Sequence, residues 1–141
     1  MINKKNMILS ELEIMKKIKE AKKFQKLGNF KEAEKVYAEA LKNNENSFDL
    51  IYSYALFSKD LKNFVFAKKL LVNLAKKFPS DIKSFIVLSE ILTIENRFSE
   101  AEQVLLLAKN IAPKNSDLLY NFSRLYWSGK SFDLSLKYIN K

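Results

Sequence analysis

Phe30, Phe64, Phe98 and Phe132 are spaced by 34 residues each time, and that interval organises the rest of the chain. A small side chain follows each at the third position: Ala33, Ala67, Ala101 and Ser135. Large ones follow four further on, at Tyr37, Leu71, Leu105 and Ile139, and Ala40, Leu74 and Ala108 take the next turn. Upstream, Ala21, Ala55, Ser89 and Ser123 keep the same register, and the only two prolines, Pro79 and Pro113, share the interval. A fixed period of this length marks stacked supersecondary units, each unable to bury its apolar face alone.

Each unit reads as two helices. Phe85, Leu88, Ser89 and Leu92 recur at i, i+3, i+4 and i+7, and a second stripe opens at Phe98 after the Asn96-Arg97 interruption. Proline pushes the preceding residue out of the α region, so second helices end before Pro79 and Pro113. Ser10, Ser80 and Asn115 or Ser116 are the expected N-caps, with capping-box spacing from Ser10 to Glu13. Gly28 and Gly129 suit left-handed C-cap positions in the turns within repeats. The predicted helices are 11–27, 31–43, 48–60, 64–77, 81–94, 98–111, 116–128 and 131–140. An all-α chain follows, with a short polar lead over 1–10 and one array over 11–141. Its repeats run over about 14–47, 48–81, 82–115 and 116–141, the last incomplete.

Composition narrows the chemistry. The 141 residues contain no cysteine and no histidine. Disulfides, thiolate nucleophiles, imidazole bases and the common zinc sites are thereby excluded, and no metal or cofactor is expected. Two glycines leave no phosphate-cradling loop. Glu32 with Glu34 and Glu100 with Glu102 resemble acid/base couples, but at i, i+2 they point to different faces of a helix. They read as solvated acids near helix N-termini, as Lys68-Lys69 and Lys76-Lys77 read as a solvated convex face. No apolar run approaches a membrane span or a signal-peptide core, so a cytoplasmic location with no membrane partner is expected.

These residues resemble the tetratricopeptide-repeat family over about 14–141. The resemblance rests on the period, the paired small residues, the aromatic opening each second helix and the prolines between repeats. It implies a right-handed α-solenoid of antiparallel helix pairs, about eight helices, in which the pairs Ala21/Ala33, Ala55/Ala67, Ser89/Ala101 and Ser123/Ser135 allow close approach. Lys17, Glu20 and Glu45 depart from the pattern in the first repeat. At the other end, Leu134, Tyr138 and Ile139 lack a covering cap, so continuation of the chain or self-association through the last helix is expected.

The resemblance also implies where a partner would sit, since first helices line the concave groove. The groove-facing places fall into four ladders: Ile18, Tyr52, Ile86, Tyr120; Lys22, Leu56, Glu90, Arg124; Lys19, Ser53, Val87, Asn121; and Met15, Asp49, Lys83, Asp117. The first is apolar throughout, while Lys19, Lys22 and Lys26 make the N-terminal end basic. It is open to two readings, core packing between adjacent first helices or a binding stripe. Trp127, the sole tryptophan, is a candidate anchor on the groove side. The places used by repeats that clamp acidic chaperone tails give Ile18, Lys22, Ser53, Lys83 and Val87, of which two fit, so that clamp is not expected.

The expected function is a non-catalytic scaffold binding a partner peptide or helix that carries apolar anchors and some acidic residues. One alternative is the repeat segment of a longer enzyme, such as a sulfotransferase or glycosyltransferase. RNA binding is disfavoured despite a net charge of +9, because Arg97 and Arg124 are the only arginines and the ladders present few repeated polar groups. The charge is uneven: +4 over residues 1–47, +3 over 48–81, zero over 82–115 and +2 over 116–141.

Overall fold

A computed structural model describes residues 9–128. Seven α-helices follow one another: α1 (Glu11–Lys26), α2 (Phe30–Lys42), α3 (Phe48–Asp60), α4 (Phe64–Lys77), α5 (Lys83–Ile94), α6 (Phe98–Ile111) and α7 (Ser116–Ser128). The described residues contain no strand. The helix expected over 131–140, with Gly129, Phe132 and Ser135, lies outside the described residues, as does most of the 1–10 lead. So do Leu134, Tyr138 and Ile139, on which self-association was expected to rest.

Helix ends follow the periodic signals with one exception. Ser10 caps α1 by accepting from the Glu13 amide at 3.2 Å, and Asn115 accepts from Leu118 N at 3.1 Å. Ser80 does not cap α5. That helix opens at Lys83, and its first free amide instead donates to the Asp81 carboxylate at 2.9 Å. The Phe78–Asp81 turn (Asp81 N to Phe78 O, 3.1 Å) uses up the residues that would have formed its first turn.

The turns inside the repeats are built alike. Gly28, Lys62 and Asn96 are 34 residues apart and have φ of 78°, 63° and 62°. Around each, the next amide reaches back to the carbonyl five residues earlier: Asn29 to Phe24 (2.9 Å), Asn63 to Ser58 (2.8 Å) and Arg97 to Leu92 (2.8 Å). The left-handed residue's own amide bonds the carbonyl three before it, at 2.8–3.1 Å. This is the Schellman closure, which satisfies helix-end carbonyls while reversing the chain. It makes the three hairpins superimposable in design, although only one of the three positions carries glycine.

Small residues then let the two helices of each hairpin meet. Ala21, Ala33, Ala55, Ala67 and Ala101 are fully buried, and Ser89 is 2 % exposed. The Ser89 hydroxyl donates to Ile86 O at 2.7 Å and Ser58 to Tyr54 O at 2.9 Å, so these polar atoms are satisfied within their own helices. Phe64 and Phe98 both open a second helix half-buried against the core. Burial continues through Tyr37, Leu71 and Leu105, each 0–1 % exposed at equivalent places.

Polar ties join successive repeats. The Tyr54 hydroxyl donates to Glu34 at 2.5 Å, the Tyr126 hydroxyl donates to Glu102, and half-buried Lys68 pairs with Glu95 at 2.7 Å. The readings of Glu34 and Glu102 as merely solvated acids and of Lys68 as a solvated lysine are corrected accordingly: each bridges one repeat to the next. Glu100 is held by Arg97 at 2.7 Å on an exposed face.

Curvature follows from which helices touch. First helices pack in a row, α1 on α3, α3 on α5 and α5 on α7, whereas α2, α4 and α6 do not approach one another closely. A stack tight on one side and splayed on the other bends toward the tight side. The first helices therefore line the concave face.

Candidate functional site: the concave face

Of the first helices that build this face, α3 and α5 are largely apolar, and burial splits each of them between core and surface. In α3, Leu50, Ile51, Tyr54, Ala55, Phe57 and Ser58 are buried; in α5, Ser84, Val87, Ser89, Ile91 and Leu92. What stays on the surface is a narrower strip. Tyr52, Ser53, Leu56, Ile86 and Glu90 are half-buried, and Lys19, Lys22, Lys26, Lys83, Arg124, Tyr120 and Trp127 are exposed. Ile18, Val87 and Asn121 lie below it in the seams between helices, at 4 %, 4 % and 8 % exposure. The Asn121 amide donates to Asp117 O at 2.8 Å, which satisfies it within α7.

The apolar ladder is thus graded, from Ile18 inside the core, through Tyr52 and Ile86 at the surface, to Tyr120 standing 63 % exposed. Tyr52 stacks on Phe48 with centroids 5.7 Å apart, and Phe48 in turn meets Phe78 edge-on at 5.3 Å. Burial, then the Glu90 and Asp81 carboxylates, hold the Tyr52 phenol above its ordinary pKa, so it stays neutral.

Charge on the face is uneven. Glu90 is matched by Lys59 at 2.7 Å, with both side chains about three-quarters buried. Lys83 lies over the Phe48 ring at 5.8 Å and the Arg124 guanidinium over the Tyr120 ring at 5.8 Å, distances suited to cation–π attraction. Lys19, Lys22 and Lys26 are exposed and have no ion pair among the described residues. The unmatched positive charge of the face is therefore concentrated on α1.

A cleft of about 440 Å³ opens between α1 and α3. Lys22 and Lys26 border it on one side, Ser53 and Leu56 on the other, with Phe57 and Tyr37 at its base. At its end, Gln25 Nε2 donates to Asp60 Oδ2 at 3.2 Å. Four of these residues belong to the expected groove; Gln25, Tyr37, Phe57 and Asp60 do not. Tyr37 was legible only as the large residue of a second helix, matching Leu71 and Leu105. Its polar tip was the overlooked signal.

Among the described residues, no group of three or more acidic side chains could hold a metal ion. No helix there is long and apolar enough to cross a membrane.

Two comparisons bear on this architecture. The family model described as "Tetratricopeptide repeat" matches residues 24–47. Among solved structures, MamA from strain AMB-1 superimposes with a TM-score of 0.74 at 14 % identity, covering 98 % of this chain and 79 % of that one. MamA from Desulfovibrio magneticus RS-1 gives 0.73 at 14 % identity, covering 90 % and 72 %. PilF of Pseudomonas aeruginosa gives 0.74 at 15 % identity, covering 88 % and 57 %. No curated protein matches the chain by sequence. The chain is a tetratricopeptide-repeat solenoid in its fold, and these proteins share that fold.

Proposed function

We propose that the array is a non-catalytic interaction scaffold that binds a peptide or helix of a partner protein along its concave face. The supporting observation is the strip itself: half-buried Tyr52, Leu56 and Ile86 run into exposed Tyr120 and Trp127, with unmatched lysines at the α1 end. Solenoids of helix pairs present such extended concave surfaces to their ligands. The strip calls for apolar anchors across the middle and acidic residues over α1. An amphipathic helix or an extended segment can supply both.

Each apolar anchor fully desolvated here contributes roughly 1.5–3 kcal/mol before ordering costs. The test is affinity capture of partners from native lysate with the intact chain and with Tyr52→Ala/Ile86→Ala/Tyr120→Ala. Selective loss of bound proteins by the triple variant supports the reading. A variant that retains every partner contradicts it.

A further inference from the structure

We propose that the cleft between α1 and α3 is an anchor pocket that takes one acidic side chain of the partner together with an adjacent apolar one. This rests on the concave-face reading and assigns the chemistry of one part of that face. The cleft is rich in donors that lack acceptors. Lys22 and Lys26, one helical turn apart on α1, have no ion pair among the described residues. Tyr37 is only 1 % exposed, yet its hydroxyl makes no hydrogen bond. No fully buried side-chain nitrogen or oxygen among the described residues is unpartnered, so the slight exposure of Tyr37 falls on the hydroxyl, where it meets the cleft. A phenol nine-tenths buried and turned toward an opening wants an acceptor there.

Burial and the Asp60 charge push the Tyr37 pKa up to about 12, so the group remains a donor at neutral pH. Ser53 adds a half-buried hydroxyl on the facing wall. Against these donors stands a single carboxylate, Asp60, already accepting from Gln25. Two lysines and one aspartate leave a small positive excess. That balance suits one carboxylate, whereas a phosphoryl group or a polyanion would meet Asp60 repulsion. Leu56 and Phe57 supply the apolar wall for the neighbouring side chain.

The test is an amide NMR titration of the intact chain with two capped dipeptides, acetyl-Leu-Glu-amide and acetyl-Leu-Gln-amide. The acidic probe is expected to move the amides of Lys22, Lys26, Ser53 and Leu56 and to bind about fivefold or more tightly than the neutral one, the range of a charge-assisted hydrogen bond in a partly open site. Lys22→Gln/Lys26→Gln, both at exposed positions, should erase that preference. Tyr37→Phe keeps the ring and its packing, and should weaken the acidic probe about threefold and the neutral probe, whose carboxamide oxygen is the weaker acceptor, by less. Equal binding of the two probes, no response, or tighter binding of inorganic phosphate overturns the assignment. Shifts confined to Tyr52, Ile86 and Tyr120 also overturn it but leave the concave-face reading intact. Retention of every partner by the triple alanine variant, with the acidic probe still seated at Lys22, removes that reading and not the pocket.

Discussion

The left-handed turn residue offers the sharpest test of the repeat geometry, because its backbone is the same in three hairpins while its side chain differs. At Gly28 a Cβ would meet no heavy atom within 4 Å, so Gly28→Ala introduces backbone strain and no clash. An L-residue held in the left-handed region loses roughly 1–2 kcal/mol. Alanine recovers about 0.4–1 kcal/mol through the lower entropy of its unfolded chain. The net loss is about 1 kcal/mol. Lys62, at φ 63°, already bears that strain. Its side chain forms no ion pair among the described residues, and its amide bond to Lys59 O at 2.8 Å survives any substitution but proline. Lys62→Gly should therefore stabilise the chain by about 0.5–1 kcal/mol, the strain relieved less the added glycine entropy. Asparagine tolerates the region better, so Asn96→Gly should gain less than Lys62→Gly. Chemical denaturation resolves these differences, and thermal scans should show shifts of about 3–4 °C for each kcal/mol. A neutral Gly28→Ala together with a destabilising Lys62→Gly would show that these turns do not hold the left-handed conformation.

Further outcomes follow from the packing and the charges. Ala67→Leu forces a branched side chain between α3 and α4 at a fully buried position, and should lose roughly 1–3 kcal/mol in the same assay. Glu95→Gln breaks the half-buried pair with Lys68; it should lose about 1 kcal/mol, and raised salt should not restore it. Tyr37 titrates near pH 12 in the folded chain against about 10 when unfolded, so the unfolded state sheds its proton first. Its contribution to stability is present below about pH 10 and is lost as pH rises toward 12. Burial and the Glu34 hydrogen bond raise Tyr54 in the same direction. Tyr37→Phe should flatten part of that alkaline decline, measured as unfolding free energy against pH.

Much of this architecture is written in the sequence because each helix pair carries the same residue types at the same 34-residue interval. The period put Ala21, Ala33, Ala55 and Ala67 in register, and the family resemblance implied that they meet in pairs, which only small residues allow at a close antiparallel contact. Lys62 gave no such sign. Nothing in a lysine announces a positive φ, and only its place 34 residues after Gly28 could have suggested it. The α5 start falls later than the sequence suggests because the Phe78–Asp81 turn takes up Ser80 and Asp81 and leaves Ile82 at the N-cap. On the concave face, the ladders ranked residues by register alone, which cannot tell a surface position from the seam beneath it. Ile18, Val87 and Asn121 fall in the seam because adjacent first helices pack over them. Partner choice is equally hidden. Lys59 with Glu90 and Lys68 with Glu95 are 31 and 27 residues apart, so neither pair follows the 34-residue interval.

Site-specific photocrosslinking in the native cell reports most directly on which surface is used. A benzoyl-phenylalanine placed at Tyr52 or Ile86 samples the concave strip; one at Val65 or Val72, exposed on α4, samples the convex side. Crosslinks to another protein from the first pair, absent from the second, are the predicted result. Crosslinks from Val65 and Val72 alone would contradict it.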